Sequence, residues 1–329
     1  MMACPPPGFP VAPHQFFRRA AASPRETATA PPPPPAAAKE VELSDFDWVG
    51  DLGEGGFARV TKVRHRRTGE LFALKQAFYP SPGADEEAEA LRRAAGSPHV
   101  VRCHAVLRGY GGEPACVMEL MDAGSLGDLL ERRGGRGLPE PAVAEAAARC
   151  LAGLLHLHSR GVAHLDVKPD NLLANARGDV KIADFNSSRI MFDSAGEFQR
   201  VSLNFGTVAY FSPERFGLDN YGWPMGAMAA DVWSVGVTVL ELAGWRPFLP
   251  DNERPTFEEL KEAICNGETP SVPEDAEASP ELRGFVAACM HKESWRRASV
   301  SRLLAHPFIT RRDVEASSRA LRELIVENL

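Results

Sequence analysis

The chain has 329 residues with 37 Lys and Arg against 44 Asp and Glu, which gives a formal net charge of −7. Apolar residues make up 44% and charged residues 25%, as in soluble globular proteins, and the length is typical of two compact units. The acidic balance argues against a nucleic-acid partner, because a phosphate backbone requires a basic face. No apolar run reaches the ~18 residues of a membrane span, so we expect none.

The N-terminal segment, residues 1–40, differs in composition from the rest of the chain. It is rich in Pro and Ala, with a proline run at 31–35, and has few large apolar groups to offset the entropy of ordering. We predict a disordered arm containing a stiff polyproline spacer. Three interpretations of the arm remain open: a transit peptide, a basic contact for an acidic partner at Arg18 and Arg19, and an unstructured tail without a partner.

The six cysteines form no C-x-x-C pair, so neither a zinc site nor a disulfide framework is predicted. Free thiols indicate a reducing compartment, the cytoplasm or the nucleus.

Apolar–polar alternation and turn signals predict a strand-rich front half, beginning near residue 45, and a helix-rich back half. Such segregation predicts an α+β fold of two lobes with a cleft between them. We predict three strands within 46–78, a helix at 84–95, strands at 99–107, 114–121, 171–174 and 179–182, a long helix between Pro139 and Gly161, and helices near 228–244, 256–265, 280–290, 299–305 and 312–328.

A glycine-rich turn lies at residues 52–60, which read LGEGGFARV. Gly53 and Gly55 would let the backbone pass close to phosphates, because no Cβ intervenes. The turn lies between two strands and has Ala58 at the third glycine position, which disfavours a dinucleotide-binding fold. An ordinary turn is the alternative.

Lys75 ends the apolar strand FALK and needs a counter-charge if it points inward. The following helix offers Glu87 and Glu89. We choose Glu87, because it shares a helical face with Leu91, where a core residue is expected. The alternative is a solvated acidic helix face.

The most specific pattern is HLDVKPDN at residues 164–171. Asp166 can orient a hydroxyl nucleophile and accept its proton, and Lys168 can neutralise a transferring phosphoryl group. Asn171 offers an amide oxygen to a hard cation, and Asp184 in IADFN adds a carboxylate suited to magnesium.

These motifs stand in the order found in the eukaryotic protein kinases, which the chain resembles over about residues 45–310. The resemblance includes SPE at 212–214, DVWSVG at 231–236, and Arg297, which lies where the family has an arginine that pairs with the glutamate of its A-P-E motif. It implies a bilobal protein kinase fold with an N-terminal lobe at 45–121 and a C-terminal lobe at 122–310, and ATP and Mg²⁺ as cofactors.

The resemblance also implies individual roles. Met118 resembles the gatekeeper, and Glu119 and Met121 resemble hinge residues whose backbone groups bind adenine. The implied catalytic residues are Lys75, Glu87, Asp166, Lys168 and Thr207, and the implied metal ligands are Asn171 and Asp184. The implied cofactor-binding residues are Leu52, Gly53, Glu54, Gly55, Gly56, Val60, Ala73, Lys75, Met118, Glu119, Met121 and Leu173.

A narrower resemblance is to the MAP kinase kinases, especially those of plants. It is carried by KVRHRRTGELFALK, SPHVVRCHAV, GTVAYFSPERF and WRPFLPDNERPTFEEL. It implies a monomer that phosphorylates Thr and Tyr in the activation loop of a MAP kinase, downstream of a MAP kinase kinase kinase. It also implies that residues near 308–325, a range that overlaps the predicted C-terminal helix at 311–329, dock the upstream kinase. A helix that caps the back lobe is the alternative.

Three departures from the family pattern bear on control of the activation loop. Asn186 replaces the glycine of DFG, and we expect it to permit the active geometry but to restrict switching. Leu165 replaces the arginine of HRD, which in the family contacts a loop phosphate. Glu197 and Leu203 occupy the two Ser/Thr acceptor positions, with Ser194 and Ser202 nearby but out of register.

The loss of the HRD arginine is consistent with the loss of the Ser/Thr acceptors. If the loop carries no phosphate, a buried arginine at position 165 would be an unpaired charge. We therefore expect atypical control of the activation loop, in which phosphorylation does not switch the protein in the usual way. Glu197 would be a weak constitutive substitute for the phosphate, and apolar contact of Leu165 with the loop would help to order it.

Two alternatives stand beside an active MAP kinase kinase. One is a pseudokinase scaffold that binds partners of the cascade without phosphoryl transfer, and another is a Ser/Thr kinase with a different substrate. The retained charged residues favour an active enzyme.

A metal site at Cys150, His156, His158 and His164 is disfavoured, because residues 156 and 158 lie on different helical faces. His164 is instead expected to brace the catalytic loop, which contains Asp166.

Overall fold

The computed structural model describes residues 41–56, 58–79, 82–109, 112–192, 195–217, 221–222, 224–248 and 255–329. The predicted disordered arm at 1–40 and the candidate acceptor Ser194 lie outside these residues.

The front half forms a five-stranded antiparallel sheet in the order β1-β2-β3-β5-β4, with one helix, α1, inserted between β3 and β4. Alternating apolar residues pack one face of this sheet into a small core. The elements are β1 (Phe46–Glu54), β2 (Ala58–His65), β3 (Leu71–Ala77), α1 (Pro82–Ala94), β4 (Cys103–Arg108) and β5 (Pro114–Glu119).

The back half is mainly helical, with one short three-stranded sheet, β6-β8-β9, and two strand pairs, β7-β10 and β11-β12. The helices are α2 (Leu126–Arg132), α3 (Glu140–Ser159), α4 (Pro224–Leu242), α5 (Phe257–Cys265), α6 (Pro280–Cys289), α7 (Val300–Leu304), α8 (Pro307–Thr310) and α9 (Val314–Glu327). The strands are β6 (Gly124–Ser125), β7 (Val162–Ala163), β8 (Leu172–Ala174), β9 (Val180–Ile182), β10 (Arg189–Ile190), β11 (Val201–Ser202) and β12 (Tyr221–Gly222).

The sequence predicted most of these elements. Pro139 caps α3 and Gly161, with φ 71°, follows its end, as the turn signals indicate. The strand predicted at 99–107 begins only at Cys103, because the preceding backbone pairs with the back half instead. The Val101 N–H donates to the Ile182 carbonyl at 2.9 Å, and the Ile182 N–H donates to the His99 carbonyl at 2.9 Å. The helices α2 and α8 were not predicted.

One helix among the described residues, α4, has the length and apolar composition of a membrane span. Its apolar window is 72% buried inside the protein, and Trp233 is fully buried. The apolar composition of α4 is therefore that of a core helix.

The C-terminal helix α9 packs against α3. Ser317, Leu321 and Ile325 form its buried face, and Arg149 of α3 donates to the Ser318 hydroxyl at 2.8 Å. This packing supports the capping alternative for residues 308–325, and docking of an upstream kinase stays a prediction.

We expect Leu321→Ala to destabilise the protein by about 2–5 kcal/mol, because it opens a cavity under α9. Val326→Ala on the same helix is the matched control, since Val326 is 47% exposed and its truncation should cost less than about 1 kcal/mol. Denaturant unfolding measures both. Equal losses for the two variants would contradict the packing of α9 onto α3.

Candidate active site

Lys75 contacts one carboxylate from each half of the protein, Glu87 from the front half and Asp184 from the helical half. On β3 it lies between Val60 of β2 and Cys116 of β5. Its Nζ lies 2.6 Å from Glu87 Oε1 and 2.8 Å from Asp184 Oδ1. Burial favours the neutral amine, but the charges of Asp184 and Glu87 outweigh it and raise the pKa of Lys75. The ammonium group is therefore retained at neutral pH.

The helix α1 presents Glu87 to Lys75, as the helical-face argument predicts. Glu87 is 9% exposed, whereas Glu89 faces outward and pairs with Arg92 and Arg93 at 2.6 Å each. Of the two candidate carboxylates, only Glu87 meets Lys75.

Asp184 follows β9 with φ 62°, a left-handed conformation that is costly for a non-glycine residue. Burial opposes ionisation of its carboxyl group, but the Lys75 ammonium holds the pKa of Asp184 below its ordinary value. Among the described residues, the non-glycine residues with positive φ are Asp184 and Leu165. Asn186 thus needs no glycine-like angles here, and its effect on switching stays a prediction.

Asp166 is the centre of a second hydrogen-bonded group. The Asn171 side-chain amide donates to the Asp166 carbonyl at 2.8 Å and to Asp166 Oδ2 at 3.0 Å. The Thr207 N–H donates to Asp166 Oδ1 at 2.8 Å, and Lys168 Nζ donates to the Thr207 hydroxyl at 2.7 Å. These contacts bring together four residues that the sequence marked: Asp166, Lys168, Asn171 and Thr207.

Asp231, a buried carboxylate on α4, holds the backbone that leads into Asp166. Asp231 accepts hydrogen bonds from the His158 ring at 2.8 Å and from the N–H groups of His164 and Leu165 at 2.9 and 2.7 Å. Burial opposes its ionisation, but the hydrogen bond from His158 and the other donors lower the pKa of Asp231. The DVWSVG pattern marked the position of Asp231 without revealing this function.

The predicted nucleotide-binding residues surround a cleft of about 440 Å³ between the two halves. Glu54 does not line the cleft, because its carboxylate pairs with Arg59 at 2.6 Å. The Glu119 side chain pairs with Lys181 at 2.7 Å, so only its backbone is available for a ligand. The predicted residues that do line the cleft are Leu52, Gly53, Gly55, Gly56, Val60, Ala73, Lys75, Met118, Glu119, Met121 and Leu173.

Sequence reasoning missed several apolar residues of the cleft, among them Val101 and Ala183. Val101 and Ala183 are 3% and 7% exposed and form a cluster with Met121. Ala183 directly precedes Asp184, which is the one signal that could have identified it.

The alternative metal site is not formed. The His156 ring bonds to the Ala94 carbonyl, His158 to Asp231, and His164 to the Ala183 carbonyl at 3.0 Å. Within the described ranges no group of three or more His, Cys, Asp or Glu residues could hold a metal ion. His164 also packs edge-on against Phe185, so it braces the catalytic loop as expected.

A bidentate ion pair anchors the SPE motif. Arg297 contacts the Glu214 carboxylate through Nη1 at 2.6 Å and Nη2 at 2.7 Å. The sequence predicted this pairing.

Comparison with known proteins identifies the class to which this fold and site belong. The protein kinase domain family matches residues 46–309. The chain is 40% identical over 276 residues to mitogen-activated protein kinase kinase 9 of Arabidopsis thaliana, which covers 82% of this chain and 86% of the relative. It is 41% identical to mitogen-activated protein kinase kinase 7 of the same plant over an equal span, and 39% identical over 275 residues to mitogen-activated protein kinase kinase 10.

The chain therefore belongs to the protein kinase family. Its relatives make it a MAP kinase kinase-like enzyme, and the predicted bilobal α+β kinase fold is confirmed.

We expect Gly206→Ala to lower phosphoryl transfer to a general protein acceptor by about tenfold or more. Gly206 has φ 109°, and a Cβ there would lie 2.6 Å from the Leu165 carbonyl oxygen and 3.1 Å from Asp166 Oδ1. The substitution would therefore displace the Asp166 loop.

Gly196→Ala is the matched control in the same part of the chain. Gly196 also has a positive φ, 82°, but a Cβ there meets no atom within 4 Å. The control separates backbone strain from collision with the catalytic loop, and equal rates for the two variants would contradict the predicted collision.

Proposed function

We propose that this protein binds ATP with Mg²⁺ in the cleft and phosphorylates Thr and Tyr in the activation loop of a MAP kinase. The observation that carries the proposal is the single charged cluster in which Lys75 contacts both Glu87 and Asp184. Asp166 and Asn171 lie on the adjoining loop, bonded to each other.

The cleft suits a nucleotide in shape and in charge. Val60 and Ala73 from the sheet and Leu173 from below offer apolar contacts to a purine. A Cβ at Gly53 or Gly56 would enter open space, so the glycine-rich turn leaves room above the cleft for phosphates. Lys75 supplies a fixed positive charge at the back of the same cleft.

The donor set for magnesium consists of two hard oxygen ligands, the Asp184 carboxylate and the Asn171 amide oxygen. Mg²⁺ is usually held by one or two protein carboxylates together with phosphate oxygens, so this small set fits the ion. When bound, Mg²⁺ neutralises charge on the transferred phosphoryl group. Asn171 directs its amide nitrogen to Asp166 at 3.0 Å, which orients the side chain that would meet the ion.

In this proposal Asp166 holds the acceptor hydroxyl in line and takes its proton. The carboxylate is fixed from two sides, by Thr207 N–H on Oδ1 and by Asn171 on Oδ2. Lys168 lies 3.7 Å from Asp166 Oδ2 and bonds to Thr207, so its ammonium charge is held where phosphoryl charge develops.

The substrate class comes from the relatives, which are mitogen-activated protein kinase kinases by name. We propose a MAP kinase as substrate and a MAP kinase kinase kinase as an upstream partner, with the protein acting as a monomer in the cytoplasm or nucleus. Free thiols at all five cysteines of the described residues support a reducing compartment.

The scaffold alternative is not favoured, because the charged residues that the family pattern requires for transfer are all present and make the contacts described above. Loss of catalysis would leave no reason to keep a buried ammonium group paired with two carboxylates, Glu87 and the partly exposed Asp184, given its cost of desolvation.

The proposal is tested by transfer from ATP to a panel of kinase-dead MAP kinases, with mapping of the modified residues. We expect phosphate on Thr and Tyr of the activation loop of at least one of them. Asp184→Asn should lower the rate by about a hundredfold or more, because the metal loses its carboxylate.

Asp179→Asn is the matched control, since Asp179 lies outside the cleft and pairs with Arg177 at 3.2 Å. It should leave the rate nearly unchanged. If neither the parent nor Asp184→Asn transfers phosphate to any of the MAP kinases, the proposal is overturned and the scaffold alternative is favoured.

A further inference from the structure

Two of the positions that depart from the family pattern, Leu165 and Leu203, meet in one buried apolar cluster. Leu165, in place of the HRD arginine, is 0% exposed, and Leu203, at a usual acceptor position, is 2% exposed. Both belong to a cluster that also contains Met191, Val201, Ala227 and Ala230. The packing is tight, because a Cβ at Gly222 would lie 2.7 Å from Leu203 Cδ1. The expected apolar contact between Leu165 and the loop is therefore part of the core.

A buried cation links the backbones of the same residues. Arg215 follows the SPE motif and is only 1% exposed. Its Nε donates to the Leu203 carbonyl at 2.9 Å, its Nη1 donates to the Leu165 carbonyl at 2.9 Å, and its Nη2 donates to the Phe205 carbonyl. The guanidinium lies over the Phe211 ring at 3.6 Å.

This arrangement suits arginine in particular. The guanidinium has five donors in a fixed plane, and it stacks on an aromatic face while donating from its edge. Burial lowers the pKa of Arg215 to about 10, so the side chain remains charged at neutral pH. A neutral or shorter side chain could not reach all three carbonyl groups.

A second arginine ties the same segment to helix α1. Arg189 of β10 is 8% exposed, lies over the Phe205 ring at 3.7 Å and approaches Glu86 at 3.6 Å. Glu86 also accepts from the Ile190 N–H at 3.3 Å. The neighbouring Glu87 holds Lys75, so consecutive carboxylates of α1 bind the segment and the active-site lysine.

We propose that Arg215 is a positioning residue that holds the activation segment, defined here as the described residues 184–192 and 195–214, in its working conformation without a loop phosphate. It acts through backbone carbonyls on both sides of the Asp166 loop, those of Leu165 and Phe205. Gly206 and Thr207 follow Phe205 directly, and the Thr207 N–H contacts Asp166. The inference rests on the proposed function for its kinetic consequences.

The cluster of Leu165 and Leu203 explains why a phosphate is not required. In the family pattern, the HRD arginine and the loop phosphate are two charges that neutralise each other. Here two leucines occupy these positions, and the ordering cation comes instead from Arg215, whose partners are part of the chain itself. The segment is ordered by contacts present as soon as the chain folds.

The test compares Arg215→Met with Arg283→Met. Arg283 also donates to backbone carbonyls, those of Pro273 at 2.8 Å and Ala276 at 2.7 Å, but it does so on α6, outside the active site. The two variants therefore lose similar hydrogen bonds in different places. Arg283→Met controls for a general loss of stability that does not involve the active site.

We expect Arg215→Met to lower kcat/KM for the MAP kinase substrate by about tenfold or more while changing KM for ATP by less than about twofold. Arg215→Lys should recover part of the loss, because it restores the charge without the planar fork of donors. Arg283→Met should leave both constants near those of the parent. Unchanged kcat/KM in Arg215→Met, or equal losses in both variants, would overturn the inference.

Hydrogen exchange of the amides in residues 201–207 tests the inference without requiring activity. We expect protection in the phosphatase-treated parent and in Arg283→Met, and faster exchange in Arg215→Met. Rapid exchange in the parent would overturn the inference even if the protein is an active kinase. Protection in a protein that transfers no phosphate would support the inference and count against the proposed function alone.

A final experiment tests whether the activity is independent of phosphorylation of the activation segment. An active MAP kinase kinase kinase should raise the activity of the parent by less than about twofold. Leu165→Arg combined with Leu203→Ser restores both charged positions of the family pattern, so that variant should gain about tenfold or more on phosphorylation. A large gain in the parent, mapped to Ser194 or Ser202, would overturn the inference.

Discussion

The structure depends on one ammonium group that two halves of the chain share. Lys75 belongs to the sheet, Glu87 to the helix inserted beside it, and Asp184 to the loop beneath the cleft. Two carboxylates so close together would repel each other without the cation, and a buried cation would lose its charge without them. The interaction therefore fixes the position of α1, the closure of the cleft and the charge at its back at the same time.

In the helical half, buried charged side chains also fix the chain, but their partners are backbone groups. Asp231 accepts from the N–H groups of His164 and Leu165, while Arg215 donates to the carbonyl of Leu165. The buried anion Asp231 and the buried cation Arg215 thus hold the peptide groups on either side of Leu165, the residue that precedes Asp166. Leu165 can hold its left-handed conformation, φ 62°, because its backbone is fixed on both sides and its side chain is fully buried.

The sequence predicted the strand-rich and helix-rich halves, the pairing of Lys75 with Glu87, and the grouping of Asp166, Lys168, Asn171 and Thr207. The two halves and the pairing of Lys75 with Glu87 follow from periodicity and from the helical face. Asp166, Lys168 and Asn171 come from one short motif, and Thr207 comes from the resemblance to the protein kinases. Glu54 does not line the cleft, and its carboxylate pairs with Arg59 on the neighbouring strand, a contact that the sequence did not indicate. Arg215 and Arg189 were missed because their partners are backbone carbonyls and ring faces brought in by tertiary contacts, which leave no pattern in the sequence.

The central claim is that the unphosphorylated chain already holds the geometry for phosphoryl transfer. A crystal structure of the phosphatase-treated protein with Mg²⁺ and a non-hydrolysable ATP analogue tests it most directly. The result predicted is that Glu87 remains in hydrogen-bond contact with Lys75, Asp184 and Asn171 face the metal, and Arg215 retains its bonds to Leu165 and Leu203. Separation of α1 from Lys75, together with a displaced activation segment, would contradict the claim.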